Sequence, residues 1–277
     1  MALDLTTLDA KLLAFYRSSL TLYNREVQMV DSAGVRQASV QATGFLARHT
    51  FAFADGAILL AAQDCLMPAT ALLRTCLEAQ ARANHIVAAK DEEREQRATD
   101  YLQLMKLGRD YCVLRIAQTA KDFPVDAPGL SEEEQRQFQQ IRSHFHRMDT
   151  TELPDVKDQY ENLNREWSYG KVVGPRQFKD LNWQNRTPMQ KMQPALHLQY
   201  LDCCAFVHAD PTAHVLEKSI TVLTVTYSTI ACLVSALTSF FEAIGKSKDT
   251  ELSGLVDALS RYPLNSKQLQ ARALNKG

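Results

Sequence analysis

The sequence is poor in the residues that punctuate or staple other fold classes. Ten glycines and nine prolines are scattered over 277 residues, which excludes collagen-like and low-complexity character. Neither sign of charge is in excess: 31 Lys+Arg stand against 32 Asp+Glu. No global field therefore draws in nucleic acid or an acidic partner, and any such site has to be local. The six cysteines (Cys65, Cys76, Cys112, Cys203, Cys204 and Cys232) contain no C-x-x-C pair and sit mostly in apolar context. That spacing is not a disulfide framework, and it predicts free, buried thiols in a reducing compartment. Also missing are a phosphate-binding glycine loop, a dinucleotide fingerprint, a nucleophile elbow and an H-E-x-x-H zinc helix. Enzyme classes that declare themselves by a short motif are thereby removed, and no cofactor is expected.

The opening Met1-Ala2-Leu3-Asp4 has no basic stretch before an apolar core, so a secretory signal is not expected and a cytoplasmic location is. Charge is absent from Ser219 to Phe241, a run long enough to span a bilayer. Nine Ser and Thr hydroxyls fall within it, Thr221, Thr226 and Ser235 among them, and no Lys/Arg cluster or Trp belt flanks it. In lipid those hydroxyls would have to bond back to the backbone. The run reads as the central buried helix of a bundle, with no membrane partner.

What the sequence does have is helical periodicity. Leu5, Leu8, Leu12, Tyr16, Leu20, Tyr23, Val27 and Val30 recur at three- or four-residue steps, predicting a helix from about Thr6 to Asp31. A second covers about Ala38 to Asp64, where Gly44 and Gly56 either weaken it or mark close helix packing. Pro68 suits the first turn of a third, reaching about Lys90. Asp91-Glu92-Glu93 opens a fourth, to about Ala120, and Ser131 to Glu134 has capping-box form for a fifth, to about Met148. A short helix is expected at Val156 to Trp167. Longer ones follow at Met189 to Val207 and Thr212 to Ile244, parted at Asp210-Pro211, and a last at Glu251 to Tyr262. No apolar–polar alternation is long enough for a strand. The fold class is all-α: a single helical-bundle domain over 1–277, with an irregular basic and aromatic insertion at about 149–193.

Three places carry polar chemistry. Arg74, Glu78, Arg82 and His85 share one face of an otherwise apolar helix. That seam is either a surface ladder of i,i+4 ion pairs or a cleft with a positioned acid and cation. His208, in Phe206-Val207-His208-Ala209-Asp210-Pro211, either caps its helix or stands at a bundle end where a ligand reaches it. His214 and Glu217 sit one turn further on, and two ligands on one turn do not make a metal site. The insertion interleaves Trp167 and Trp183 with Lys171, Arg176, Lys179 and other cations. This pattern suits stacked bases and phosphates, and equally a loop whose Lys and Arg stems cover apolar surface.

Three islands, Ala71 to Ala79, Trp167 to Lys171, and Tyr200 through Pro211, resemble in that order an uncharacterised family of bacterial all-helical proteins known only as a domain of unknown function. That family is distantly similar to the HEPN (higher eukaryotes and prokaryotes nucleotide-binding) superfamily. Many of its members are RNases of toxin–antitoxin or antiphage systems, with an Arg a few residues before a His on one helix and the site often completed across a dimer. The resemblance implies His208 in the His position. Leu201 stands where the Arg belongs, and no Arg lies between Arg186 and His208, so Arg74 would have to substitute in space or the RNase chemistry is lost. The expected function is a metal-independent RNase or RNA-binding toxin. Arg74 would stabilise phosphate charge, His208 would act as general acid/base and Glu78 would orient one of them, with Trp167 or Lys171 at the rim. Its expected partners are RNA, an antitoxin or other protein, and a second copy of the chain. The alternatives are a non-catalytic interaction or oligomerisation module and a small-ligand sensor.

Overall fold

The computed structural model describes residues 8–121, 129–145, 148–173, 196, 199–201, 203–204, 207 and 221–262. Every regular element among them is a helix, and the protein is an all-α helical bundle. In chain order these are α1 (Ala10–Ala33), α2 (Ala38–Ala62), α3 (Leu66–Val87), α4 (Asp91–Lys121), α5 (Glu132–Phe145), α6 (Leu153–Glu166), α7 (Tyr169–Val172), α8 (Val222–Ala243) and α9 (Thr250–Ser260). Where the sequence reads as one domain with an insertion, the described residues of 8–98 and 172–262 form one compact unit and Thr99–Lys171 a second.

The first unit is centred on α2, α3 and α8, which pack against one another, while α1 lies on α8 and α9 on both. Leu46, Leu73, Leu77, Ile230, Leu233 and Leu237 are fully buried among them. By length and composition α2 and α8 could each cross a membrane; half of α2's apolar window and most of α8's are buried inside the fold. Gly44 and Gly56 are close-packing positions. A Cβ at Gly44 would meet the Phe240 ring at 3.2 Å, and one at Gly56 would meet Leu72 Cδ1 at 2.8 Å.

Four hydroxyls of α8 are absorbed in two ways. Thr229 and Thr238 each donate to the carbonyl four residues earlier, both at 2.8 Å. Ser235 and Ser239 face α3: Gln80 Nε2 donates to Ser235 Oγ at 3.0 Å, and Ser239 Oγ donates to Asn84 Oδ1 at 2.6 Å. A buried network of this kind is stable only when its members are satisfied.

Helix ends of this unit are tied by side chains distant in sequence. Gln37 provides no side-chain cap for α2; instead Glu95 Oε2 accepts from the Ala38 and Ser39 N–H groups at 2.9 and 3.4 Å, meeting orphan donors of the first turn. Arg94 donates to the Ala89 and Val87 carbonyls at the end of α3 and to Glu242 of α8. Glu26, 1% exposed, accepts from Arg25 Nε at 2.8 Å and Lys246 Nζ at 2.6 Å. Two cations compensate its desolvation and tie α1 to the turn after α8.

The second unit holds most of α4 with α5 and α6. A Cβ at Gly108 would meet the Tyr160 ring at 3.0 Å, and Tyr111 stacks on Tyr160 with centroids 5.5 Å apart. Lys121 Nζ donates to the Met148 carbonyl at 2.8 Å. The capping box at the start of α5 is formed: Ser131 N–H donates to Glu134 Oε2 at 2.8 Å and Glu134 N–H to Ser131 Oγ at 3.3 Å.

Two expectations are corrected. The helix placed at Thr212 to Ile244 is not continuous, because Thr221 is extended (φ −128°, ψ 159°) and forms a capping box with Thr224, so α8 starts at Val222. Residues 212–220 lie outside the described ones, as do most of Met189 to Val207 and all of 174–195. Within the insertion, the short helix expected at Val156 to Trp167 is present over Leu153–Glu166, and Tyr169–Val172 add one further helical turn. Thiol burial holds for Cys76, Cys203 and Cys232, whereas Cys65 and Cys112 are exposed and Cys204 is half-buried. Cys65 stands at the N-cap of α3, outside the helix, and for Cys112 local hydropathy does not report which side of α4 it occupies.

Candidate functional site

The seam on α3 arises because Arg74, Glu78 and Arg82 recur every four residues on the side of the helix turned away from its buried face of Leu73, Cys76, Leu77 and Gln80. The i,i+4 spacing brings Arg74 Nε to Glu78 Oε1 at 3.1 Å, with both side chains about a quarter exposed. Glu78 thus pairs with Arg74 along its own helix.

A second segment completes the cluster. Gln199, Tyr200, Leu201, Cys203, Cys204 and Val207 have helical backbone. The Tyr200 hydroxyl donates to Glu78 Oε1 at 3.2 Å. Its ring lies under the Arg74 guanidinium, 5.7 Å from centroid to Cζ, within reach of a cation–π contact. Cys204, four residues on, is hydrogen-bonded to Tyr200 and close to Arg74. Cation, carboxylate, phenol and thiol therefore meet in one half-buried place.

The charges hold one another in fixed states. Burial, the bond to Cys204 and the negative Glu78 all push the Tyr200 pKa up, so its hydroxyl stays protonated and serves as a donor. Burial works against the Arg74 charge, but Cys204, Tyr200 and Glu78 outweigh it and hold its pKa above the ordinary value. Next to Tyr200 in sequence, the buried Gln199 side chain leaves its Nε2 without a partner among the described residues.

Further along the seam the chemistry changes. His85 is half-buried, its carbonyl accepts from Arg97 Nη1 at 2.6 Å and its Nδ1 lies 3.5 Å from the same atom. Burial and the Arg97 charge lower its pKa to about 4 despite Glu93, so it is neutral at pH 7. His49 of α2 sits between Phe45 and Phe53, centroids 6.1 and 4.6 Å away; burial and the charge of Arg82 lower its pKa as well.

Of the residues selected from sequence, Arg74 and Glu78 do meet. His208 lies outside the described residues, as do Arg176, Lys179 and Trp183. Trp167 requires a correction: it is 4% exposed and packs on Tyr101 with centroids 5.1 Å apart, so its indole is a core element of the second unit and offers no open face to a base. Lys171, in the same unit, is exposed. Sequence reasoning missed Tyr200 as the residue that closes the Arg74–Glu78 pair. The available signal was its spacing, since Tyr200, Cys204 and His208 follow one another at four-residue steps. Among the described residues no group of three His, Cys, Asp or Glu side chains is arranged to hold a metal ion. No family model, no curated protein and no solved structure matches this chain.

Proposed function

We propose that the Arg74–Glu78–Tyr200 cluster is the centre of a metal-independent site acting on RNA, in a HEPN-like ribonuclease or RNA-binding toxin of a bacterial, cytoplasmic defence or toxin–antitoxin system. One observation carries the reading: the Tyr200 bond to Glu78 joins the segment leading to His208 with the α3 seam. In this reading Arg74 supplies the cation that the His208 segment lacks. His208, eight residues after Tyr200 in sequence, exchanges a proton with the attacking ribose 2′-hydroxyl or the leaving oxygen. Arg74 offsets the charge that gathers on the phosphate oxygens, and Glu78 and Tyr200 hold Arg74 in place. RNA, an antitoxin protein and a second copy of the chain are the partners of this reading.

The same pair supports a second reading. An Arg already engaged by a carboxylate and an aromatic face can be a structural element of a non-catalytic module that binds a protein or a small ligand. Incubation of purified protein with labelled single-stranded RNA in EDTA separates the two. Cleavage that is lost in His208→Ala, with helicity unchanged, supports the RNase; intact RNA with wild-type protein supports the module.

A further inference from the structure

The side of α2 next to the α3 seam carries an aromatic ladder. Phe45, His49 and Phe53 recur every four residues, so they stand one above another on the helix. The His49 ring centroid is 6.1 Å from that of Phe45 and 4.6 Å from that of Phe53, and the Phe45 and His49 rings are 23° from parallel. Phe45 ends the ladder and is 41% exposed. Burial and the charge of Arg82 hold the His49 pKa below its ordinary value, so at neutral pH this ring is uncharged and stacks as an aromatic.

Cations flank the ladder on both sides. α3 runs against α2 with Leu72 close to Gly56 and Cys76 Sγ donating to the Thr50 carbonyl. That register sets Arg82 beside His49, where its charge is felt. Arg82 continues the face of Arg74 and Glu78 and lies about 12 Å along the helix axis from Arg74. Glu78, between the two arginines, is taken up by Arg74 and Tyr200. On the other side, Arg48 is exposed and its charge reaches Tyr23 of α1. The nearby carboxylate of Asp55 accepts from the Tyr16 hydroxyl of α1.

We infer that Phe45 and His49, with Arg82 and Arg48, form a stacking platform for single-stranded RNA. A base lies on the open Phe45 ring, and the phosphates to either side of it meet the two guanidinium groups. Aromatic faces accept any base, and cations beside them track the backbone. An apolar peptide would use the rings but not the flanking charges; a nucleic-acid strand uses both. The inference rests on the RNA-directed reading and adds to it a grip on the base, away from the Arg74 cluster.

Fluorescence anisotropy with a fluorescein-labelled 2′-O-methyl oligoadenylate about ten nucleotides long tests the platform on the full chain. That strand has no free 2′-hydroxyl, so binding is read without cleavage. The expected result is saturable binding that weakens as salt rises. Phe45→Ala should weaken it about fivefold or more, whereas Phe45→Trp, which keeps a stacking ring, should hold it. Arg82→Gln should weaken it and flatten its salt dependence, and covers the case in which Phe45→Ala does not fold. Met67→Ala, at a 44% exposed position of α3 outside the ladder, should bind as the wild type does. No saturable binding by the wild type, or wild-type affinity in folded Phe45→Ala or Arg82→Gln protein, overturns the inference. Cleavage of ordinary RNA with oligoadenylate affinity indifferent to Phe45 overturns the platform alone. Binding that depends on Phe45 in a protein that never cleaves RNA upholds the platform and removes the ribonuclease.

Discussion

The Tyr200 hydroxyl donates to the Glu78 carboxylate at 3.2 Å across 122 positions of sequence, and the same carboxylate oxygen accepts from Arg74. Glu78 is therefore the shared acceptor of the cluster, and the three side chains should behave as a unit. Tyr200→Phe removes one donor and should cost about 1 kcal/mol. Arg74→Ala leaves Glu78 without its counter-ion and should cost about 1–3 kcal/mol. The double variant should be less destabilised than the sum of the two, by at least about 0.5 kcal/mol. Denaturant titrations of the four proteins measure that coupling, and strict additivity would mean that the contacts are energetically independent.

Acid stability should depend on His85. Its folded pKa is lowered to about 4 by burial and by Arg97, below the unfolded value of about 6.5. Between those values the unfolded chain binds the extra proton, so this contribution is fully present above about pH 6.5 and is lost as pH falls through about 4. With partial solvent contact discounted, it amounts to about 2 kcal/mol. Urea unfolding at pH 7 and pH 4 should show a loss smaller by about that amount in His85→Gln than in the wild type; equal losses would remove His85 from the account.

The two glycines of α2 should respond differently to alanine. At Gly44 the new methyl would press on Phe240, which is 1% exposed and fixed in the core; the strain should outweigh the helix-propensity gain of about 1 kcal/mol. At Gly56 the contact is the end of the half-buried Leu72 side chain, which can turn aside. Thermal melts should show Gly44→Ala lowered and Gly56→Ala unchanged or raised. The reverse order would mean that the helix spacing around Phe240 is misjudged.

The start of α8 rests on Thr221. Its Oγ1 accepts from the Thr224 N–H at 3.2 Å, and Thr224 Oγ1 accepts from the Thr221 N–H at 2.9 Å. Thr221→Ala should cost about 1 kcal/mol, whereas Thr221→Ser, which keeps the hydroxyl, should cost less than half of that. Similar losses in both variants, read from denaturation midpoints, would show that the helix does not begin there.

Local signals in the sequence carried the helical elements. The leucine stripe of α1, the acidic start of α4 and the Ser131–Glu134 box report interactions within a few residues, and a short window contains them whole. The start of α8 was hidden because hydropathy is the same on both sides of Thr221, while the capping geometry depends on backbone angles. Trp167 was misread because aromatics beside cations suit an open surface and a packed core alike; contact with Tyr101 decides for the core. The α3 seam was legible as a four-residue period. Its closure by Tyr200 was not, since one sequence does not specify which distant segment supplies a third group. Glu95 on the start of α2 escaped for the same reason, because a cap delivered from another helix leaves no mark at the helix it serves.

The central claim, that Arg74 is the cation of a metal-independent RNA site, is tested most directly by the cleavage rate of 5′-labelled single-stranded RNA in EDTA. Wild type, Arg74→Ala and Tyr200→Phe are compared at equal folded concentration, checked by circular dichroism. The account predicts cleavage by the wild type, a loss of about a hundredfold or more in Arg74→Ala, and a smaller loss in Tyr200→Phe, which keeps the cation and only loosens its support. Absence of wild-type cleavage, or equal rates in the wild type and a folded Arg74→Ala protein, would contradict it.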